Sequence, residues 1–266
     1  MIAIIFACAI IGVLGLMLIW RKHRAIWNKI WEMDKVLSNL REENITLRKH
    51  NIMNSISSSR LDLLMPSQHG EDIWLWNFFN KKRDGFFVEV GAYNGITFSN
   101  TYFLEAIGWQ GILIEPNPDN FKLCAESRLY SICINAAVCN SCKGQASLTI
   151  VKGDNGVDAL SFTRASGEHL DRVARTGAKL VEVKVPALSL ERILEKVERP
   201  IDIISIDVEG TELEVLESLN FDKHGPSILI VEDNSYGQDK SVETFLLQKG
   251  YKFEVRLGGN VLYAKA

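Results

Sequence analysis

Cysteine is scarce in this chain and badly spaced for cross-linking. Five occur in 266 residues. Cys8 lies in an apolar amino-terminal run, and Cys124, Cys133, Cys139 and Cys142 follow no regular spacing, so no disulfide framework organises the fold and reduced thiols are expected. Cys139-x-x-Cys142 has the spacing of half a zinc site or of a redox pair, but a matching second pair and neighbouring histidines are missing. An excess of charge is missing too. Thirty Lys and Arg face 33 Asp and Glu, and no basic stripe with interleaved aromatics occurs, which argues against a nucleic-acid-binding surface. A third absence is positive charge ahead of the amino-terminal apolar run, together with small residues at a cleavage point; a secretory signal would carry both.

What is present at the amino terminus reads instead as an anchor. Residues 1–20 are apolar throughout and span about 30 Å as a helix, the hydrocarbon thickness of a bilayer, so one transmembrane helix is expected. Arg21, Lys22, His23 and Arg24 follow it directly, which by the positive-inside rule places the rest of the chain in the cytoplasm. The sequon Asn44-Ile45-Thr46 would matter only for a lumenal domain. Residues 21–53 then carry Ile26, Ile30, Met33, Leu37, Leu40, Asn44 and Leu47 at alternating spacings of four and three, the seam of a short coiled coil. Asn44 at an a position favours a parallel pair, with Lys29 and Asp34, or Glu43 and Arg48, facing each other across a homodimer. The alternative is that the same stripe packs on the folded domain or lies on the membrane. Polar Ser55 to Ser59 and the helix-stopping Pro66 mark a linker over 54–66.

The domain from 67 to 266 is long enough for a full core. Its pattern predicts a helix over 71–80, a strand over 86–90, a helix over 96–107, strands over 112–114 and 132–138, a hairpin of 147–151 with 182–187, a strand over 201–206, a helix over 211–219 and a strand over 227–231. Alternating β and α elements imply a parallel sheet. Residues 154–177 have little hydrophobic periodicity and are long for a connection in a compact domain; long loops of this kind often cover active sites, and a disordered excursion is the alternative. Trp74, Trp76, Phe78 and Phe79 sit on the first helix, with core packing the expected use and a substrate wall the alternative.

The stretch FFVEVGAYNGITFSNTYFLEAIGWQGILIEPNP, from Phe86 to Pro118, is a strand, a glycine turn, a helix and a second strand ending in Glu115. Two glycines let the backbone turn sharply and approach a ligand closely. Glu115 stands about 20 residues beyond the turn, where a carboxylate binds both ribose hydroxyls of an adenosine-containing cofactor. The turn reads Gly-x-x-x-Gly, one glycine short of the dinucleotide fingerprint, and the missing pyrophosphate cradle favours S-adenosylmethionine over NAD.

These residues, together with IDIISIDVEGTELEVL from Ile201 to Leu216, resemble the FkbM family of S-adenosylmethionine-dependent methyltransferases. The resemblance runs from about Ser67 to the carboxyl terminus. It implies a class I Rossmann-like methyltransferase fold with a mostly parallel seven-stranded sheet and helices on both faces. It also implies that Glu89, Gly91, Ala92, Tyr93, Asn94 and Gly95 form the methionine side of the cofactor site, that Glu115 holds the ribose, and that Asn135 and Ala136, with Ala137, lie near the adenine. O-methylation of sugar or other small-molecule hydroxyls is the activity it points to.

In an open parallel sheet, ligands gather beyond the carboxyl ends of the strands, where Asp207, Glu209, Glu115 and Glu232 are expected to converge. Four carboxylates in one crevice call for a cation or protons. The sulfonium of the cofactor is such a cation, and one carboxylate is free to act as general base for an acceptor hydroxyl. Glu209 is the expected base or substrate acceptor, Asp207 the residue that fixes the cofactor end or the loop, and Glu232 their catalytic neighbour. The plain alternative for Glu209 and Thr211 is to cap the following helix. A divalent metal on Asp207, Glu209 and Glu232 suits oxygen ligands, but no spacing demands it and none is assigned. His69, His169 and His224 are isolated, with His69 the least idle among them. The leading reading is therefore a membrane-anchored methyltransferase acting on a glycan, lipid or small molecule. A non-catalytic adaptor that dimerises through its stalk is the competing one.

Overall fold

A computed structural model describes residues 65–141, 144–153, 156–165 and 167–266. The expected transmembrane segment 1–20, the stalk 21–53 and most of the linker 54–66 lie outside the described residues, as does Cys142. Among the described residues, no helix is long and apolar enough to cross a membrane.

Seven strands form the main sheet. They are β1 (Phe86–Val90), β2 (Gln110–Ile114), β3 (Ile132–Ile134), β7 (Ile203–Ile206), β8 (Ile228–Glu232), β9 (Tyr251–Leu257) and β10 (Asn260–Lys265), in the order β3-β2-β1-β7-β8-β10-β9. The first five pair in parallel, and β10 runs antiparallel to β8 and β9. β1 is buried along its whole length, as continuous apolar runs are in sheets covered on both faces. Val88, Val90, Ile112, Ile114, Ile204, Ile206, Leu229 and Val231 pack into one core. Chain order reverses where β1 lies between β2 and β7, which opens a crevice at the carboxyl ends of these strands. This arrangement is the mostly parallel, seven-stranded Rossmann-like sheet that the resemblance implies.

Three departures from the expected elements shape the crevice. The helix expected over 96–107 is only α2 (Tyr102–Ala106), after α1 (Glu71–Phe78). Gly95 and Phe98 both have positive φ, and the buried Glu89 carboxylate takes hydrogen bonds from the Ser99 hydroxyl, the Asn100 amide and the Thr101 hydroxyl, which hold 95–101 as a loop. The strand expected over 132–138 is broken at Asn135, whose side-chain amide donates to the carbonyls of Glu115 and Pro116. Beyond it, β4 (Ala137–Val138) joins a separate sheet with β5 (Gln145–Lys152) and β6 (Lys179–Leu188), in which β5 and β6 form the expected antiparallel hairpin. After α3 (Pro118–Ser127), the long excursion holds a 3₁₀ turn, Val157–Leu160, and a helix, α4 (Gly167–Thr176). It is fastened by Phe162 and Val173 packing on Val151 of β5. α4 buries only His169 and Val173 among its described side chains. Short helices α5 (Leu190–Ile193), α6 (Glu212–Glu217) and α7 (Phe221–His224), and then α8 (Ser241–Gln248), complete the element order.

Trp74 and Phe78 stack on each other, Trp76 meets Phe103 edge-on, and Phe79 meets Trp109. None of the four α1-region aromatics lines the crevice, so packing is their role.

Candidate active site

A cavity of about 390 Å³ lies at the carboxyl ends of β1, β2, β7 and β8, within the range of small-molecule sites. Gly91, Ala92 and Tyr93 form its floor. Gly91 has φ 85°, and a Cβ there would stand 1.7 Å from the Asp207 carbonyl oxygen, so only glycine lets the β1 and β7 loops cross. Gly95 is also left-handed, but a Cβ there would meet Ser127 and Arg128. It therefore closes the loop against the end of α3 and does not line the cavity. Asn94 is likewise turned away, its Oδ1 accepting from the amides of Ile96 and Thr97. Asn135 is occupied in breaking β3, and Ala136 and Ala137 supply the wall at that end. Asn94, Gly95 and Asn135 thus shape the cavity from behind, contrary to the placement expected from the resemblance.

Glu89 reaches the cavity wall, but its carboxylate is spent on the 99–101 loop and on Arg128. Arg128 is wholly buried and bonds Glu89, Glu105, the Gly95 carbonyl and the Ser99 and Thr101 hydroxyls. A buried guanidinium with every neighbour an acceptor is a rigid hub. It holds Asn100 beside Ser205, to which the Asn100 amide donates at 3.0 Å, while the Asn100 Oδ1 stays buried with no partner at the cavity wall. An orphaned acceptor of this kind costs free energy unless a ligand donor meets it.

Glu115 stands at the end of β2. Its two oxygens accept from the Tyr93 amide and the Asn117 amide, both at 2.8 Å. Burial outweighs these bonds and pushes its pKa up to about 8, with Asp158 and Asp207 adding to the rise. Across the cavity the Tyr93 hydroxyl donates to Asp158 Oδ1 at 2.9 Å, which ties the 3₁₀ turn over the site; burial and this bond push Tyr93 up to about 12.

On the opposite wall, one oxygen or more from each of Asp207, Glu209 and Glu232 lies within 4.8 Å of the others. Burial, then the Glu209 charge, pushes Asp207 up to about 7; burial, then Asp207 and Glu209, pushes Glu232 well above the usual carboxylate range. Like charges this close cannot all stay ionised, so Asp207 and Glu232 hold a shared proton near neutrality. Glu209 has φ 60°. Its Oε2 accepts from the Arg172 guanidinium and lies 3.0 Å from His169 Nδ1, both residues coming from α4. It does not cap α6, because Glu212 accepts from the Gly210 amide and Thr211 makes no side-chain cap. Asp207, Glu209, Glu232 and Glu115 therefore do converge on one cavity.

The FkbM methyltransferase domain model matches residues 89–253, more than half of the chain. The chain belongs to the FkbM methyltransferase family. Its cofactor is S-adenosylmethionine. No curated protein sequence matches it. Similar solved structures include a TehB-like methyltransferase from Corynebacterium glutamicum, with 11% identity, 84% of this chain and 97% of that chain covered, and a TM-score of 0.38. Precorrin-6y C5,15-methyltransferase from Geobacter metallireducens gives 10% identity over 72% and 84%, with a TM-score of 0.41. Aeropyrum pernix fibrillarin with bound S-adenosylmethionine gives 10% over 69% and 67%, with a TM-score of 0.38.

The cavity of this FkbM-family domain fits the cofactor on its own geometry. A glycine floor, a buried Glu115 on the wall and the unpaired Asn100 Oδ1 are a set of groups that an adenosine with an amino-acid tail would complete. Four participants were not visible in the sequence reading. Asn100 and Ser205 gave at most a faint signal, Ser205 as a polar break in an apolar strand. Arg172 and Asp158 gave none, because both lie in the excursion. His169, expected to be idle, is buried against Glu209, while His69 lines the cavity and His224 is buried elsewhere. Cys139 is disulfide-bonded and not a reduced thiol, whereas Cys124 and Cys133 are free.

Proposed function

We propose that this chain is a membrane-anchored O-methyltransferase whose acceptor is a sugar, lipid or small-molecule hydroxyl near the bilayer. One observation carries the acceptor side: a second cavity of about 830 Å³ shares Arg172, Glu209, Glu232, Asn234 and Tyr236 with the cofactor cavity. Its lining mixes charged groups with the rings of Tyr236, Phe253 and Tyr263, chemistry that suits a polyhydroxyl acceptor with some apolar faces. The apolar run at 1–20 and the basic cluster after it support the anchor and a cytoplasmic domain, and the heptad stripe supports a homodimer. No nucleic-acid partner is proposed.

The bound cofactor supplies an electrophilic methyl group on a sulfonium. Gly91, Ala92, Glu115 and Ala136 would hold it, and Asn100 and Ser205 would meet its polar groups. Methyl transfer is an in-line displacement, so alignment of the acceptor across the shared wall contributes most of the rate. Arg172 and His169 meet Glu209 through Oε2, which leaves Oε1 to accept the hydroxyl proton. Asp207 and Glu232 adjust their shared proton as charge changes beside them.

The test uses full-length protein in membranes, labelled S-adenosylmethionine, and lipid and glycan extracts as acceptors. Glu209→Gln should lower methyl transfer steeply while calorimetric cofactor affinity changes little. Unchanged transfer removes Glu209 from the chemistry, and failure of the wild type to bind the cofactor removes the enzyme reading in favour of an adaptor.

A further inference from the structure

Cys124 and Cys133 take no part in the site described above, yet they form an unequal pair. Cys124, on α3, is wholly buried; Cys133, in the edge strand β3, is half-buried. Both are free thiols, and their sulfurs lie 3.8 Å apart. The hydrogen bond from Cys124 lowers the Cys133 pKa, and the Arg128 guanidinium lowers it further against the opposing effect of burial. The same bond and burial raise Cys124 far above the ordinary thiol range. An accessible, acidified thiol beside a protonated buried one is the arrangement of a redox-responsive cysteine with its resolving partner.

We propose that Cys133 is a peroxide-reactive modification site, resolved by Cys124 into a reversible disulfide that ties α3 to β3 and weakens cofactor binding. The Cys133 thiolate attacks one oxygen of hydrogen peroxide; the O–O bond breaks, hydroxide leaves and is protonated to water, and the sulfur is left as a sulfenic acid, oxidised by two electrons. The Cys124 sulfur then attacks the Cys133 sulfur. The S–O bond breaks, and the departing hydroxide takes the Cys124 proton to leave as a second water. A dithiol reductant returns both thiols. Closure shortens the sulfur separation from 3.8 Å to about 2.0 Å, drawing α3 toward β3. α3 carries Asn120, and the chain leaving β3 carries Ala136, both walls of the cofactor cavity. The tether therefore acts on the side of the cavity that Glu115 shares.

The full-length protein is reduced, treated with hydrogen peroxide, freed of oxidant and digested with trypsin without reductant. The expected product joins the peptide of residues 123–128 to that of residues 129–143, with fragment ions placing the bond at Cys133, and dithiothreitol dissolves it. In Cys124→Ser, dimedone should label Cys133; in Cys133→Ser, it should leave Cys124 unlabelled. Calorimetry should give about fivefold weaker S-adenosylmethionine binding for the oxidised wild type, and no change on oxidation of Cys124→Ser. No linked peptide, a bond from Cys124 to another cysteine, or prior labelling of Cys124 overturns the site. Equal affinity in the two redox states overturns its link to the cofactor.

Discussion

Replacing Glu115 with glutamine perturbs the proposed ribose contact of the cofactor cavity. The carboxylate accepts two backbone N–H groups on separate oxygens. A glutamine offers one acceptor, so its NH₂ faces the second N–H and strands a buried donor. The variant would also lose the proposed charge-assisted bond to the ribose, a class of interaction worth about 1.5 to 3 kcal/mol. Cofactor affinity should fall about 10- to 150-fold. The pH dependence is a sharper test. In the proposed complex, ribose hydroxyls would donate to Glu115 and so favour its ionised form, whereas the free site holds a proton up to about pH 8. Binding below that pH must release the proton, and the wild-type dissociation constant should rise by up to tenfold for each unit of acidification. Glutamine does not titrate, so the variant's slope should be shallower by up to one decade per unit. Titration calorimetry of both proteins from about pH 6 to 9 reads this difference, in which the cofactor's own amino group cancels. For stability the sign reverses. The folded pKa lies above the unfolded one, so the contribution of Glu115 is complete below the unfolded value and is lost as pH rises through about 8. Parallel slopes, or affinities within about twofold of each other, would refute the ribose assignment.

Gly91→Ala places a methyl group against the Asp207 carbonyl on a left-handed backbone, two penalties of roughly 1 to 3 kcal/mol each. Its melting temperature and cofactor affinity should both drop, and retention of both would show that the loops do not cross as described. Arg128→Met strands Glu89 and Glu105 in the interior; urea unfolding should report a loss of roughly 3 to 5 kcal/mol. Arg128→Lys should restore little of it, because an ammonium does not reach both carboxylates and the Gly95 carbonyl at once. A loss below about 1 kcal/mol would mean that the network is not the hub of the loop.

Much of the fold was readable because its determinants are local. The apolar run Phe86–Val90 predicts β1 to the residue, and the paired runs of β5 and β6 announce their hairpin. The acids at the strand tips follow from topology, since parallel strands bring their carboxyl ends to one edge. Where reading failed, the cause was contact between distant residues. The helix expected from Ile96 was shortened by Glu89, which competes for the backbone and hydroxyls of 99–101. Asn135 ended β3 through bonds to residues 19 and 20 positions earlier. α4 escaped notice because only Leu170, Val173 and Ala174 of its residues are apolar.

Leaving aside β9 and β10, which it did not announce, the sequence by itself determined the strands, the glycine turn, the family and the presence of acids at the crevice. Those features depend on side-chain periodicity and on a backbone conformation that only glycine accepts without strain. Tertiary structure alone decided which charges meet. Arg172 lies 37 residues from Glu209, Asp158 lies 65 from Tyr93, and Arg128 lies 39 from Glu89. Coulomb energy and desolvation depend on distance and burial in space, and neither is written in the order of the residues.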